Sequence, residues 1–331
     1  MDFTELVDLA SEKLGGAVLV ANDEFFAAKE NLLKPEAAVF IEGKYTDLGK
    51  WMDGWETRRR RTPGYDWCII RLGAPGKIRG VVVDTSFFRG NYPEHCSLEA
   101  CSSDDLPTID QLTSEAVEWT QLLPQLPLAG DSQNPFAVES EQRFTHLRLK
   151  IYPDGGVARL RVYGEVVPDW DRLERLGGDV DLAAVENGGR VLQCSDMFFG
   201  HRHNLIMPGR AANMSDGWET KRRRGAGHDW TIIKLGRPGR IGRLEVDTAW
   251  FKGNFPESCA LEATDAGDLP EEKLTDLSVA WRSVLPRTTL QAHTRHFFEN
   301  EILDAGIVSY LRFNIFPDGG VSRLRVYGRL A

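Results

Sequence analysis

The chain contains an internal duplication, and this feature constrains its fold more than any other. The segment Asp-Gly-Trp-Glu-Thr-Arg-Arg-Arg-Arg at residues 53–61 returns at residues 216–224 as Asp-Gly-Trp-Glu-Thr-Lys-Arg-Arg-Arg. Aligned without a gap, residues 53–100 and 216–263 are identical at 30 of 48 positions. Such a match at one fixed offset indicates two copies of a single structural unit.

The ends of the match predict the module boundaries. Val7-Asp8-Leu9-Ala10 reappears as Val180-Asp181-Leu182-Ala183, and residues 147–164 match residues 311–328 at 14 of 18 positions. We therefore predict two modules of ordinary domain size and a linker between them. The predicted bounds are 1–164 for the first module, 165–179 for the linker and 180–331 for the second module.

The two copies differ in length at one place. Asp23-Glu24-Phe25-Phe26 aligns with Asp196-Met197-Phe198-Phe199 at an offset of 173, but the offset at the repeated motif is 163. The first copy therefore has ten extra residues, which lie near residues 37–50. We predict that they form a loop that the second copy lacks.

The residue pattern of each copy is typical of β-strands. Short β-rich runs bounded by Gly and Pro follow the motif, and Leu147, Leu149 and Ile151 alternate with polar residues as in a half-buried strand. The pattern predicts an all-β fold of two antiparallel jelly-roll β-sandwich modules. At the start of the chain, apolar residues at helical spacing across residues 3–14 predict a short N-terminal helix.

Charge and hydropathy disfavour several classes of partner. The net charge of −9 argues against a nucleic-acid backbone, and no apolar run is long enough to span a bilayer. The first residues lack the features of a secretion signal, and five cysteines form no disulfide framework. We therefore expect a cytoplasmic protein with reduced thiols and without nucleic-acid or membrane partners.

A duplicated set of polar residues marks the candidate site, because core packing alone does not call for carboxylates, amides and guanidiniums together. Its members in the first copy are Asp23, Glu56, Arg58, Arg59, Asp84, Asn91 and Asp154, and in the second copy Asp196, Glu219, Lys221, Arg222, Asp247, Asn254 and Asp318. Each also has an ordinary structural explanation. The glutamates could form ion pairs with the neighbouring guanidiniums, and the Asp and Asn residues could stabilise turns.

The histidines do not follow the duplication. His146 aligns with Tyr310, and His201 and His203 have no counterparts. Catalysis therefore depends on the duplicated carboxylates and guanidiniums, or else only one module is active. His146 stays a candidate acid or base on the polar face of its strand. His201-x-His203 is a weak metal motif without an evident third ligand, so we predict no metal site. The alternative is a divalent ion that is held by carboxylates and polarises a ureido oxygen.

Several motifs together resemble one known family, the allantoicases. They are Asp-Gly-Trp-Glu-Thr-Arg-Arg, Tyr65-Asp66-Trp67, Asp84-Thr85 with Phe88 and Gly90-Asn91, Arg143-Phe144-Thr145-His146, Pro153-Asp154-Gly155-Gly156, Leu205-Ile206-Met207-Pro208-Gly209-Arg210 and Asn213-Met214-Ser215-Asp216. The resemblance covers nearly the whole chain. It implies two galactose-binding-like jelly-roll modules, a homo-oligomer, and hydrolysis of allantoate to ureidoglycolate and urea during purine (allantoin) degradation. Such an enzyme is a hydrolase of non-peptide C–N bonds that acts on linear amidines.

The chemistry of allantoate suggests a role for each candidate. Its carboxylate suits a guanidinium fork or an ammonium, so we expect Arg58, Arg59, Lys221 and Arg222 to bind it. Release of urea needs a proton donor and an activated water, which Glu56 and Glu219 could supply. The ureido groups need acceptors and donors, and the Asp and Asn residues of the set offer them: Asp23, Asp84, Asn91, Asp196, Asp247 and Asn254.

An alternative function belongs to a different class. Jelly-roll modules also serve as carbohydrate-binding units without chemistry, and two copies in tandem would then increase avidity. The sequence also leaves open whether one module or both hold a site.

Overall fold

A computed structural model describes residues 2–103, 105–267, 270–276 and 278–331 of the chain. The chain divides into two compact units, Met1–Val167 and Pro168–Ala331. We call them the first and second modules. Residues 165–179, the predicted linker, include the end of one strand and a short helix, Trp170–Leu176.

The first module is built almost entirely of strands, with one α-helical turn, α1 (Ile109–Thr113), before its eighth strand. Its strands are β1 (Val7–Asp8), β2 (Ala17–Ala21), β3 (Tyr45–Thr46), β4 (Gly49–Lys50), β5 (Trp55–Glu56), β6 (Asp66–Asp84), β7 (His95–Cys101), β8 (Thr120–Pro127), β9 (Gln133–Ala137), β10 (Phe144–Tyr152), β11 (Gly156–Val157) and β12 (Arg159–Val166).

The long strand β6 joins the two sheets of this module. Its first half, residues 66–71, pairs with β10 and β2, whereas its second half, residues 76–84, pairs with β12 and β9. One sheet therefore has the order β2-β6-β10-β7-β8 and the other β1-β12-β6-β9, with every pair antiparallel. This arrangement confirms the predicted all-β sandwich.

The core lies between these two sheets. Ile70 and Leu149 from one sheet and Val81 and Leu160 from the other belong to one buried cluster, which also contains Trp55. The alternation predicted for β10 is confirmed, because Leu147, Leu149 and Ile151 are all buried in this cluster. The outer face of β10 is polar, and there Arg148 and Lys150 both bind Glu99 of β7.

The second module repeats this architecture, preceded by helix α2 (Trp170–Leu176). Its strands are β13 (Val180–Asp181), β14 (Arg190–Cys194), β15 (Trp218–Glu219), β16 (Asp229–Asp247), β17 (Ser258–Thr264), β18 (Arg282–Thr289), β19 (Arg295–Phe298), β20 (Ile307–Phe316), β21 (Gly320–Val321) and β22 (Arg323–Leu330). Strand β16 takes the place of β6: its first half pairs with β20 and β14, and its second half pairs with β22 and β19.

The predicted N-terminal helix is wrong. Residues 3–14 form two single 3-10 turns, Phe3–Glu5 and Glu12–Leu14, on either side of strand β1. Strand β1 pairs with β12, and the Asp8 carboxylate accepts hydrogen bonds from the backbone N–H groups of Ala10 and Val162. These long-range bonds hold residues 7 and 8 extended, so tertiary pairing overrides the helical spacing of the apolar side chains.

The ten-residue insertion contains a small hairpin in which β3 pairs with β4. It brings Lys50 to the first module's candidate site, as described below. The five cysteines are free thiols. None of the helices in the described parts of the chain has the length and apolarity needed to cross a bilayer.

Candidate active site

Glu56 is positioned where β2 and β10 end and β12 begins. Its backbone pairs with Gly156 of β11 on one side and with Ala27 on the other. Gly156 must be glycine here, since a Cβ would lie 1.9 Å from the Phe88 ring. The adjacent Trp55 is fully buried, and its Nε1 donates to the Asp23 carbonyl at 2.8 Å. Backbone pairing and the buried indole therefore fix the position of Glu56.

A side-chain amide holds the carboxylate of each repeated glutamate. The Asn91 Nδ2 donates to Glu56 Oε1 at 2.6 Å, and the Asn254 Nδ2 donates to Glu219 Oε1 in the same way. Each asparagine is itself held through its backbone. The Asn91 backbone carbonyl accepts the N–H of Gly156 at 2.8 Å, and the Asn254 backbone carbonyl accepts the N–H of Gly320 at 2.9 Å. The duplication therefore preserves a Glu–Asn pair, not only two isolated residues.

The surroundings of both glutamates raise the pKa of their carboxyl groups. Burial raises the pKa of Glu56 and of Glu219 above the usual value, and the bond from Asn91 or Asn254 opposes this shift only in part. A carboxyl group with a raised pKa is suited to general acid–base catalysis near neutral pH.

Each Glu–Asn pair lines an open pocket. The Glu56 pocket has a volume of about 260 Å³ and is lined by Phe26, Gly49, Lys50, Met52, Glu56, Phe87, Arg89, Gly90 and Asn91. The Glu219 pocket has a volume of about 610 Å³, and its lining includes Phe199, Glu219, Arg222, Arg223, Asn254, Phe255 and Glu257. Both pockets thus combine a carboxyl group, an amide, an aromatic wall and cationic side chains.

The cationic side chains that line the two pockets come from different segments of the two modules. Lys50 lies in the insertion of the first module, and Arg89 lies in the loop after β6, where its Nε binds Asp131 Oδ2 at 3.0 Å. In the second module Arg222 of the repeated motif lines the Glu219 pocket. Arg59, its counterpart, lies instead in a separate cleft with Asp23, Arg58 and Asp66. Neither Lys50 nor Arg89 is among the site residues predicted from the sequence.

A strained aromatic residue follows β6 and β16 at equivalent positions. Phe87 and Trp250 have φ angles of 70° and 72°, a region that bulky side chains rarely occupy. Their N–H groups are held by Asp131 Oδ1 and His293 Nδ1, both at 2.7 Å. Phe87 lines the Glu56 pocket. Strain of this kind is often found at functional sites, but a φ angle has no signature in a single sequence.

Arg58 and Lys221 already have acidic partners. Arg58 Nε binds Asp23 Oδ2 at 2.6 Å, and Lys221 Nζ lies 3.1 Å from Asp196 Oδ2. The same two aspartates also accept the backbone N–H groups of Arg58 and Lys221. Both cations are well exposed, so their charge is available at the surface. Asp23 and Asp196 stabilise the conformation of the motif and do not line either glutamate pocket.

The other predicted aspartates stabilise turns. Asp84 and Asp247 accept the N–H of Ser86 and Ala249, each at 2.8 Å, and so shape the loops that carry the strained aromatics. Asp154 and Asp318 accept the N–H of Arg60 and Arg223, also at 2.8 Å, and Asp318 additionally lines the Glu219 pocket.

The structure does not bring His146 to the Glu56 pocket. His146 is buried near the start of β10, whereas the pocket lies beyond the end of that strand, six residues or roughly 20 Å away. Burial lowers its pKa, and the charge of Arg71 lowers it further. The His146 Nδ1 lies 2.8 Å from Thr145 Oγ1.

His201 and His203 form the start of a 3-10 turn, where His201 Nδ1 accepts the N–H of His203 at 3.3 Å. Burial, followed by the charges of His201 and Arg202, lowers the pKa of His203 to about 3. Among the described residues, no three His, Cys, Asp or Glu side chains are grouped as a metal site would need.

Comparison with known proteins identifies the family. A model of the allantoicase repeat matches residues 7–167 and 180–331. The chain is 50% identical to a probable allantoicase of Photobacterium profundum over 99% of its own length and 98% of that protein. It is 51% identical to an allantoicase of Dictyostelium discoideum, over 98% and 87% of the two chains. The crystal structure of the Saccharomyces cerevisiae allantoicase matches with a TM-score of 0.82 at 38% identity, covering 98% of this chain and 93% of that one. The chain therefore belongs to the allantoicase family.

Proposed function

We propose that this chain hydrolyses allantoate to ureidoglycolate and urea, and that the Glu56 and Glu219 pockets carry the reaction. Identity of about half the residues to allantoicases over nearly the whole chain supports the reaction and disfavours the carbohydrate-binding alternative. One observation supports these pockets above all: both modules keep a partly or fully buried glutamate bound to an asparagine.

The reaction breaks one C–N bond and forms one C–O bond at the central carbon of allantoate. The protonated glutamate donates its proton to the ureido nitrogen as the C–N bond breaks, and urea leaves. The resulting carboxylate accepts a proton from the water molecule that attacks the carbon. The product is ureidoglycolate, and the glutamate regains its proton. A single carboxyl group with a raised pKa can perform both transfers, first as general acid and then as general base.

The substrate carboxylate pairs with the cations of each pocket. In the first module these are Lys50 and Arg89, and in the second module Arg222, for which no ion pair is recorded among the described residues. Arg58, Arg59 and Lys221 belong to the repeated motif and contribute positive charge at the surface. Asn91 and Asn254 position the glutamates and offer an amide to the ureido groups.

The remaining predicted residues have supporting roles in this proposal. Asp23, Asp84, Asp196 and Asp247 fold the loops that form the pockets. His146 lies outside the pockets, and substituting it should leave the chemical step intact. The resemblance to the family also supports a homo-oligomer. The five free thiols favour the cytoplasm, and the net charge of −9 and the lack of a long apolar run disfavour nucleic-acid and membrane partners.

Replacing Asn91 and Asn254 by Ala should move the pH dependence of urea release. The asparagine bonds lower the glutamate pKa, so their loss leaves burial unopposed and raises that pKa further. Activity that requires the protonated acid is lost as pH rises through this pKa. The decline on the alkaline side should therefore occur at higher pH in the variant, together with a lower maximal rate.

Asn31→Ala and Asn204→Ala are the matched controls for this experiment. These repeated amides donate to the carbonyl oxygens of Gly54 and Gly217 and do not touch the glutamates. Their pH profile should keep its wild-type midpoint. An alkaline midpoint that stays fixed or falls in the Asn91/Asn254 variant would contradict the assignment of the glutamate as the acid.

The substrate carboxylate can be tested with methylenediurea, which has both ureido groups but no carboxylate. Hydrogen bonds to charged groups contribute about 1.5–3 kcal/mol, so kcat/KM for urea release should be lower than for allantoate by at least roughly tenfold. Equal values for the two compounds would contradict carboxylate recognition. Binding to a glycan array without urea release from allantoate would favour the carbohydrate-binding alternative.

A further inference from the structure

The second module has another open pocket, on the outer face of the sheet formed by β16, β20, β17 and β18. This sheet-face pocket has a volume of about 490 Å³, and its lining includes His228, Trp230, Glu262, Arg312, Asn314 and Phe316. Among the described residues it shares no lining residue with the Glu219 pocket. The proposed hydrolysis therefore leaves it without a role.

The first module shows what can occupy this place. There the equivalent carboxylate, Glu99, accepts a bond at each oxygen: Lys150 Nζ lies 2.6 Å from Oε1, and Arg148 Nε lies 2.7 Å from Oε2. The Lys150 ammonium also lies 5.1 Å from the centre of the Tyr65 ring. Lys150 stands opposite Trp67 on the neighbouring strand. The chain's own ammonium thus fills the place between a carboxylate and aromatic rings.

In the second module this ammonium is missing from the sequence. Asn314 replaces Lys150 and His228 replaces Tyr65, while Arg312 and Trp230 keep the positions of Arg148 and Trp67. Arg312 Nε and Asn314 Nδ2 both donate to Glu262 Oε2, at 2.8 and 2.9 Å. None of the described residues donates to Glu262 Oε1. This oxygen is therefore left as an acceptor at the pocket, and the two side chains that bind the Glu262 carboxylate carry one positive charge fewer than those that bind Glu99.

The neighbouring groups keep the Glu262 carboxylate ionised, so Oε1 can accept a hydrogen bond from a ligand. Burial disfavours the Glu262 carboxylate, but the bonds from Arg312 and Asn314 outweigh burial and hold its pKa below the usual range. The other guanidinium of the pocket, Arg287, is bound to Glu257 and Ser258, and it lies 4.2 Å from the centre of the Phe316 ring. His228 Nε2 lies 3.0 Å from Asn314 Oδ1.

We propose that the sheet-face pocket binds a small primary amine. The ammonium group of the ligand takes the position that Lys150 Nζ occupies in the first module and donates to Glu262 Oε1. Its methylene groups lie against Trp230, which stands opposite Asn314 as Trp67 stands opposite Lys150. Aromatic rings and a carboxylate together favour an organic cation, because the ring face attracts positive charge and the carboxylate accepts a charge-assisted hydrogen bond.

The probe is n-butylammonium, which has the length of the lysine side chain, and 1-butanol is its neutral counterpart. Calorimetric titration of the full chain should show one n-butylammonium bound per chain and much weaker binding of 1-butanol. Asn314→Lys restores the internal ammonium and should weaken n-butylammonium binding at least about tenfold, as should Glu262→Gln, which removes the charge. Glu99→Gln, the matched change in the first module, should leave the affinity unchanged.

Four outcomes would overturn the proposal: no binding of n-butylammonium to the wild-type chain, equal binding of n-butylammonium and 1-butanol, full binding by Asn314→Lys, or loss of binding in Glu99→Gln. A change of oligomeric state in Asn314→Lys, seen by sedimentation, would assign the pocket to a second copy of the chain instead. All three variants lie outside the Glu56 and Glu219 pockets and should keep wild-type urea release. The test is therefore independent of the proposed hydrolysis.

Discussion

Replacing both Glu56 and Glu219 by Gln should lower urea release from allantoate by about 10²–10⁴-fold, the usual contribution of general acid–base catalysis. Gln keeps the size of the side chain and can still accept the bond from Asn91 or Asn254, but it cannot transfer the proton. Each glutamate is fixed by backbone pairing and not by its own carboxylate, so the fold should survive the change. Circular dichroism and the unfolding midpoint would confirm that it does.

The two single Glu→Gln variants show which module holds an active site. If both modules are active, Glu56→Gln and Glu219→Gln should each retain the turnover of the other module. Complete loss in one single variant would place catalysis in that module alone. Glu99→Gln, a carboxylate paired with Arg148 and Lys150 on the sheet face, is the matched control and should remain active. A double variant with near wild-type turnover would contradict the role of the glutamates.

Replacing Asp53 by Ala should destabilise the first module by about 3–5 kcal/mol, the usual cost of leaving a buried charge without its partner. Arg159 is 1% exposed and Asp53 is 7% exposed, and Arg159 Nη2 lies 2.7 Å from Asp53 Oδ2. The same carboxylate oxygen accepts the N–H of Val39 at 3.0 Å. The substitution therefore leaves the buried Arg159 charge without its carboxylate and the Val39 N–H without its acceptor. Urea denaturation followed by circular dichroism would measure the loss.

An exposed ion pair provides the control for this experiment. Arg240 and Asp304 form a pair with 59% and 66% of their side chains exposed, so Asp304→Ala should cost only about 0–1 kcal/mol. The double variant Asp53→Leu/Arg159→Met, which removes both charges, should recover much of the lost stability. A loss in Asp53→Ala as small as that in Asp304→Ala would show that the buried pair does not hold the module together.

The sequence was sufficient to predict the fold because its signals were regular or repeated. The duplication indicated two modules, and the alternation of Leu147, Leu149 and Ile151 predicted a strand with one buried face. The motifs that resemble allantoicase predicted the family, which the comparisons confirm. The N-terminal helix failed because the pairing of Val7 and Asp8 with β12 decides that segment, and a short window of sequence does not contain this pairing.

The site was harder to predict because its contacts join residues that are far apart in the sequence. Glu56 and Asn91 are 35 positions apart, and both had been selected as candidates, but nothing in the sequence showed that they bond to each other. Arg58 was expected to bind substrate, yet the structure pairs it with Asp23. Lys50 lies in the insertion that the second copy lacks, so it has no counterpart in the duplicated set of polar residues that would mark it as a site residue. Phe87 looked like an ordinary aromatic residue until its φ angle was known.

Product formation from allantoate by the purified chain, followed by ¹³C NMR with a parallel assay for urea, tests the proposed hydrolysis at its source. We expect urea and ureidoglycolate to appear in equal amounts as allantoate disappears. The Glu56→Gln/Glu219→Gln variant, folded and at the same concentration, should form neither at a comparable rate. A folded wild-type chain that leaves allantoate intact would contradict the proposed hydrolysis.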